Sequence, residues 1–195
     1  MTTCLDALSG DISFDCNDKP IRGLDGRRAV IINVEDIDRT QLTQTGATVS
    51  ALELYEGKAG FKVEWYKELG STEVEYAPSD EDIDGFTHSF LARFATTTAN
   101  NAERARELKN GRFIVVVETS YKGDNNQEAF KIYGLHTGME LAELTGNSQE
   151  NSGSLLFTLS TREGTFEPFP YNVFFDTSYE TTKNTVDALF ASASP

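Results

Sequence analysis

Phe113-Ile114-Val115-Val116-Val117 is the stretch on which the fold turns. Its residues are apolar and mostly β-branched at successive positions, so neither side of an extended chain is left for water. Such a segment is a strand buried on both faces or covered by a helix, and it predicts the centre of a sheet. Just before it, Ala99 to Lys109 reads as a mostly polar helix. Thr98 or Asn100 can cap its start, Asn110-Gly111 can stop it, and Ala102, Ala105 and Leu108 share one side at helical spacing. After it, the turn-rich connector Lys122 to Gln127 leads to Ala129-Phe130-Lys131-Ile132-Tyr133-Gly134-Leu135, which returns as an antiparallel partner.

Further strands lie on either side. Leu155 to Leu159 is one; Phe86, His88, Phe90, Ala92 and Phe94 mark the face of another, opposed by Thr87, Ser89, Leu91 and Arg93. Phe61, Val63 and Trp65 alternate with polar neighbours, and the pattern resumes at Val74 and Tyr76, which predicts a hairpin. A shorter helical pattern runs from Thr182 to Phe190, with Val186, Leu189 and Phe190 in one stripe. The expected architecture is mainly β (α+β), a β-sandwich or partial barrel with one flanking helix and extended arms. Residues 1–27 form an N-terminal arm, 28–176 the β-rich core, and 177–195 a C-terminal extension whose last residues fray.

The chain of 195 residues carries 17 basic and 31 acidic side chains, a formal charge of −14. Residues 1–85 hold −10 of it and residues 86–195 the other −4. Nucleic-acid affinity comes mainly from Lys and Arg displacing counterions, so no DNA-gripping face is expected. The bland meaning of the acidity is solubility. The longest apolar run reaches nowhere near the roughly 18 residues of a membrane span, so no membrane is expected as a partner. Met1-Thr2-Thr3-Cys4-Leu5-Asp6 has no secretory character, and synthesis in a cytoplasm is the expectation. Cys4 and Cys16 read as reduced thiols, and with His88 and His136 far apart no zinc set is formed.

Catalytic motifs fail one by one. Neither a Gly-x-Ser-x-Gly elbow, a GxGxxG nor a Walker loop is present, and Gly134-Leu135-His136-Thr137-Gly138 has no Lys after its second glycine. Asp80-Glu81-Asp82-Ile83-Asp84-Gly85 matches the first half of a calcium loop, but Leu91 stands where a bidentate Glu is needed. Six acids between Glu73 and Asp84, with no base among them, read as an acidic solvated loop, a weak cation site, or an insertion reaching over another subunit. The expectation is no enzyme, no cofactor and no metal.

Two segments ask for a partner instead. In the arm, Ile12, Phe14, Ile21 and Leu24 are isolated apolar anchors that either stay loose or dock on a neighbouring subunit. From Phe166 to Phe175, five aromatics surround Pro168 and Pro170, which either close one end of the sandwich or form a contact surface. The candidate inter-subunit residues are therefore Ile12, Phe14, Asp80, Asp82, Asp84, Phe169 and Tyr171.

Three pieces in this order carry a resemblance: Ala102 to Glu118, Phe130 to Leu141, and Thr145-Gly146-Asn147-Ser148 leading to Gly153 to Leu159. With Cys4-Leu5-Asp6 and Asp15-Cys16, they resemble tail or virion structural proteins of phages and prophages of Bacteroidetes-type bacteria, over residues 1–35 and 100–160. The order of strands, helix and strands also resembles the tail-tube fold of phage major tail proteins. That resemblance implies hexameric rings whose sheets join into a continuous inner barrel, stacked through termini and a long loop. It implies as partners the chain's own copies and other phage tail and neck proteins, with DNA passing through unbound, in a virion tail made in a host bacterial cytoplasm. Six chains at −14 each would carry about −84, suited to a non-adhesive lumen. The aromatic stretch 166–175 has no place in that pattern. Alternatives are a head-tail connector or neck ring, a tail terminator, or a β-sandwich glycan-binding module using Phe166, Phe169 and Tyr171 as a sugar platform.

Overall fold

The structure, a computed structural model, describes residues 8, 10–12, 19, 21–65, 69–79, 84–149 and 153–191. The strands are β1 (Leu24–Asn33), β2 (Thr43–Thr45), β3 (Thr48–Ala51), β4 (Phe61–Glu64), β5 (Ser71–Ala77) and β6 (Gly85–Phe94). Helix α1 (Ala99–Leu108) leads into β7 (Phe113–Thr119), β8 (Phe130–Tyr133), β9 (Met139–Gly146), β10 (Leu155–Thr161) and β11 (Asn172–Phe174), and α2 (Tyr179–Ala191) follows. The strands form one hydrogen-bonded path, β2-β3-β11-β8-β7-β9-β10-β6-β5, with β1 pairing β7 and β4 beside it. Only β11 and β3 run parallel. At one point the path nearly breaks, because β7 meets β9 through a single pair, Phe113 and Met139. The sheet therefore splits into a larger half, β4-β1-β7-β8-β11-β3-β2, and a smaller half, β9-β10-β6-β5.

β7 explains the split. Its residues alternate between two cores, as period-2 geometry requires. Phe113, Val115 and Val117 join Ala29, Ile31 and Tyr133 against Phe90, Ala92, Phe157 and Leu159 of the smaller half. Ile114 and Val116 join Val30, Ile32, Phe130, Ile132 and Phe174 under Val186 and Leu189 of α2. The molecule is thus a mostly β, mixed-sheet sandwich with a helix on its outer face, as the continuous apolar run demanded. α1 begins where expected: the Thr98 side chain accepts from the Asn101 N–H at 3.2 Å. No helix among the described residues is long and apolar enough to cross a membrane.

Two expectations are corrected. The hairpin over 61–76 does not form: β4 pairs β1, with Ile31 opposite Phe61, and β5 pairs β6, with Ser71 opposite Leu91. The chain changes layers between them. Val63, Trp65 and Val74 all pack on the same core, from opposite sheets, so the alternation continues across the crossing. Gly70 lies so close to the Trp65 indole that a Cβ there would stand 2.3 Å from a ring carbon. Second, residues 24–27 belong to β1 rather than to an arm; Leu24 pairs with Thr119, and the register shifts before Ala29, where Gly26 and Arg27 have φ of +67° and +49°. The helical pattern over Thr182 to Phe190 is α2, which begins three residues earlier at Tyr179 and packs Val186, Leu189 and Phe190 on the core.

That second helix is fastened at its start. Lys122 Nζ sits 2.8 Å from Asp25 and 2.6 Å from Glu118, and the Tyr179 hydroxyl donates to Glu118 at 2.6 Å. Burial alone would lower the Lys122 pKa, but its bonds to Asp25, Glu118 and Tyr179 outweigh this and raise it. The cluster ties the start of β1, the end of β7 and the first turn of α2 together. Because β7 has no wet face, Ile114→Ala is expected to cost about 2–5 kcal/mol in urea unfolding, whereas Leu144→Ala on an exposed strand end stays within about 0.5 kcal/mol.

Candidate assembly surfaces

The smaller half has two open edges. β5 pairs β6 on one side only, and beyond Met139 the β9 strand pairs β10 on one side only, among the described residues. Unpaired strand edges invite another chain. The face turned away from the core is set by register. Glu140 lies opposite Ser160, Ser160 opposite Ser89, and Ser89 opposite Glu73. In the next rows Glu143 lies opposite Thr158 and Glu75 opposite Thr87. That face is carboxylates and hydroxyls, with Leu91 and Leu156 half-buried between them. The four strands contain no lysine, and their one arginine, Arg93, is buried.

Segment 166–170 is stitched to the start of β6. Phe86 and Glu167 exchange backbone hydrogen bonds of 2.9 and 2.8 Å, and a Cβ on Gly85 would meet the Phe166 Cβ at 2.5 Å. The Glu167 carboxylate is fully buried and accepts from the backbone N–H of His136 at 3.1 Å and of Thr137 at 2.8 Å. It also accepts from the Thr137 hydroxyl at 2.9 Å. Gly134 and Gly138, with φ of +72° and +79°, turn this loop so that its amides converge on one anion. The loop that lacks a phosphate-binding lysine holds the chain's own carboxylate.

His88 completes the fastening. Its buried ring accepts the Gly134 N–H on Nδ1 at 2.9 Å, which leaves Nε2 to donate to the Phe169 carbonyl at 2.9 Å. Burial holds its pKa below 6.5, against the opposing pull of the Glu167 charge. Phe169 itself is half-buried, its ring centre 6.5 Å from that of His136. Tyr171 is 37% exposed, and Lys131 Nζ stands 3.8 Å from its ring centre. A cation already covers one face of the ring.

Of the other candidate residues, Ile12 is 90% exposed, and Phe14, Asp80 and Asp82 lie outside the described residues. Asp84 accepts the Ser79 N–H at 3.0 Å and the Tyr76 hydroxyl, and these two bonds lower its pKa. Glu73 and Glu75 are not loop residues, as the acidic stretch suggested; they alternate along β5. The structure joins Asp84 to the aromatic stretch only at its base, through Gly85 and Phe86. No cluster of three or more His, Cys, Asp or Glu side chains able to hold a metal occurs among the described residues.

A further feature was not anticipated. An open cleft of about 900 Å³ lies where α1 and β4 leave the two sheets apart. Ile31, Val63, Phe94, Leu108, Phe113 and Phe157 make its apolar lining. Charged groups at its rim are paired, Lys62 with Glu64 at 2.9 Å and Arg104 with Glu107 at 2.6 Å. Ile31, Phe113 and Phe157 are themselves core residues, so no sequence signal sets the lining apart.

The His88 geometry sets a pH dependence. The neutral ring is favoured by folding, so its contribution is complete above pH 6.5 and is lost as pH falls from 6.5 to the lowered folded pKa, the interval in which the unfolded chain binds the extra proton. Stability measured by denaturant midpoints from pH 8 to 5 is expected to fall by up to about 1.4 kcal/mol per pH unit from this group. His88→Gln should remove that component of the slope; an unchanged slope would reject the assignment. No protein-family model, no curated protein and no solved structure matches this chain.

Proposed function

We propose that the chain is a virion structural protein, the subunit of a phage tail tube that closes into hexameric rings and stacks them into a DNA conduit. The observation that carries the reading is the smaller half-sheet: four strands, open at both edges, with an acidic, hydroxyl-lined outer face. In this reading the β5 edge of one copy pairs with the β9 edge of the next, and the ring has no edge left to aggregate. Glu73, Glu75, Glu140 and Glu143 then face the lumen. DNA presents one phosphate charge about every 1.7 Å, and a wall of carboxylates without lysine repels it rather than releasing its counterions. The role is one of assembly rather than catalysis. Partners are further copies of the chain and other tail and neck proteins, and the site of action is the virion tail, after synthesis in the bacterial host.

Electron microscopy of the purified chain tests this directly. Long hollow tubes are the expected result; isolated rings favour a neck or terminator protein, and monodisperse monomers that bind glycans overturn the reading. The wall has its own test. The wild-type protein is expected to leave duplex DNA unbound at about 50 mM salt, while a Glu73→Lys, Glu140→Lys variant retains DNA there and releases it by about 200 mM. Tight, salt-sensitive binding by the wild type would remove the basis for a non-adhesive lumen.

A further inference from the structure

We propose that the apolar cleft beside β4 receives the N-terminal arm of a second copy of this chain, with Leu8 and Ile12 seated in it. The inference rests on the reading that the chain assembles with its own copies, and it names the contact that holds two copies together. Leu8 and Ile12 are 81% and 90% exposed, more so than any other large apolar residue described. In an extended conformation a separation of four positions puts both side chains on one side, about 13 Å apart. The cleft, at about 900 Å³, is of the size that buries a ligand of this length.

Two further features suit the cleft to an extended, acidic segment. β4 pairs only β1 among the described residues, so its outer edge can accept the arm as an added strand while the cleft takes alternate side chains. Charge agrees. Residues 1–19 hold four aspartates and one lysine. Residues 103–112, which form the α1 wall and its exit, hold Arg104, Arg106, Lys109 and Arg112 against Glu103 and Glu107, a basic stretch in a chain of −14. Within one chain the cleft is not filled by these side chains: Leu8 and Ile12 both stand exposed, and neither lines it.

Disulfide trapping in the full chain tests the contact. Cys4 and Cys16 are replaced by Ser; one population carries Asp11→Cys with one affinity tag, the other Lys62→Cys with a second tag, and the two are mixed and mildly oxidised. A doubly tagged covalent dimer is expected, and adding Leu8→Asp and Ile12→Asp to the first population should lower its yield at least tenfold. A bond that forms only within a single chain carrying both cysteines, at a yield independent of concentration, overturns the inference, as does the absence of any cross-link. A yield insensitive to the Leu8 and Ile12 changes overturns it too. If tubes form without the cross-link, this inference fails and the tube reading stands; if the cross-link forms without rings, the converse holds.

Discussion

The two-sided burial of β7 is the constraint from which the rest of the structure follows. A strand with Phe113, Val115 and Val117 on one face and Ile114 and Val116 on the other needs an apolar cover on both. The smaller half-sheet supplies one and α2 the other. Neither cover is free to leave, since removing either would return a row of branched side chains to water, at roughly 1.5–3 kcal/mol for each. The order of the chain then becomes intelligible. β1 and β8 flank β7 because their own residues alternate in phase with it: Ala29 and Ile31 face the smaller half, and Val30 and Ile32 face α2.

Much of this was legible in the sequence, and what was not has a common cause. Apolar alternation reports which side of a strand is buried; it does not report against which neighbour. β7, β8, β6 and α1 were readable because each carries its own complete signal. The segment from Phe61 to Tyr76 was misread as a hairpin because Val63 and Val74 meet the same core from opposite sheets, and a crossing between layers has the same periodicity as a turn within one. The cleft was hidden for the same reason. Phe113 and Phe157 are core residues that also border the cleft, and only the spacing of the two sheets leaves Val63 beside them half-buried.

The polar interior was illegible for a different reason. Glu167 sits among aromatics with no motif around it, yet it is the ligand of the Gly134 to Gly138 loop. Two left-handed glycines and converging amides make a cradle for an anion, and the chain provides that anion itself. A buried carboxylate is tolerable only when hydrogen-bonded, and here the loop and the carboxylate satisfy one another. With His88 bridging Gly134 and the Phe169 carbonyl, the aromatic stretch is anchored by polar groups as much as by its rings. This gives 166–170 a structural reason to exist, whatever its outer surface contacts.

The charge pattern bears on how copies would meet. Glu73 and Glu75 lie along β5, and Glu143 lies near the open edge of β9, so pairing these edges brings like charges together. Such carboxylates are a known device against indiscriminate edge pairing, and their repulsion is only partly screened at a Debye length of about 8 Å. Backbone pairing of a β5 edge with a β9 edge therefore has to overcome an opposing field. In the proposed assembly, an apolar contact made by the exposed Leu8 and Ile12 of the arm supplies attraction that the edges lack. On the proposed reading the two surfaces divide the work: the arm and cleft provide affinity, and the charged edges ensure that strands join only when another contact has already set their register.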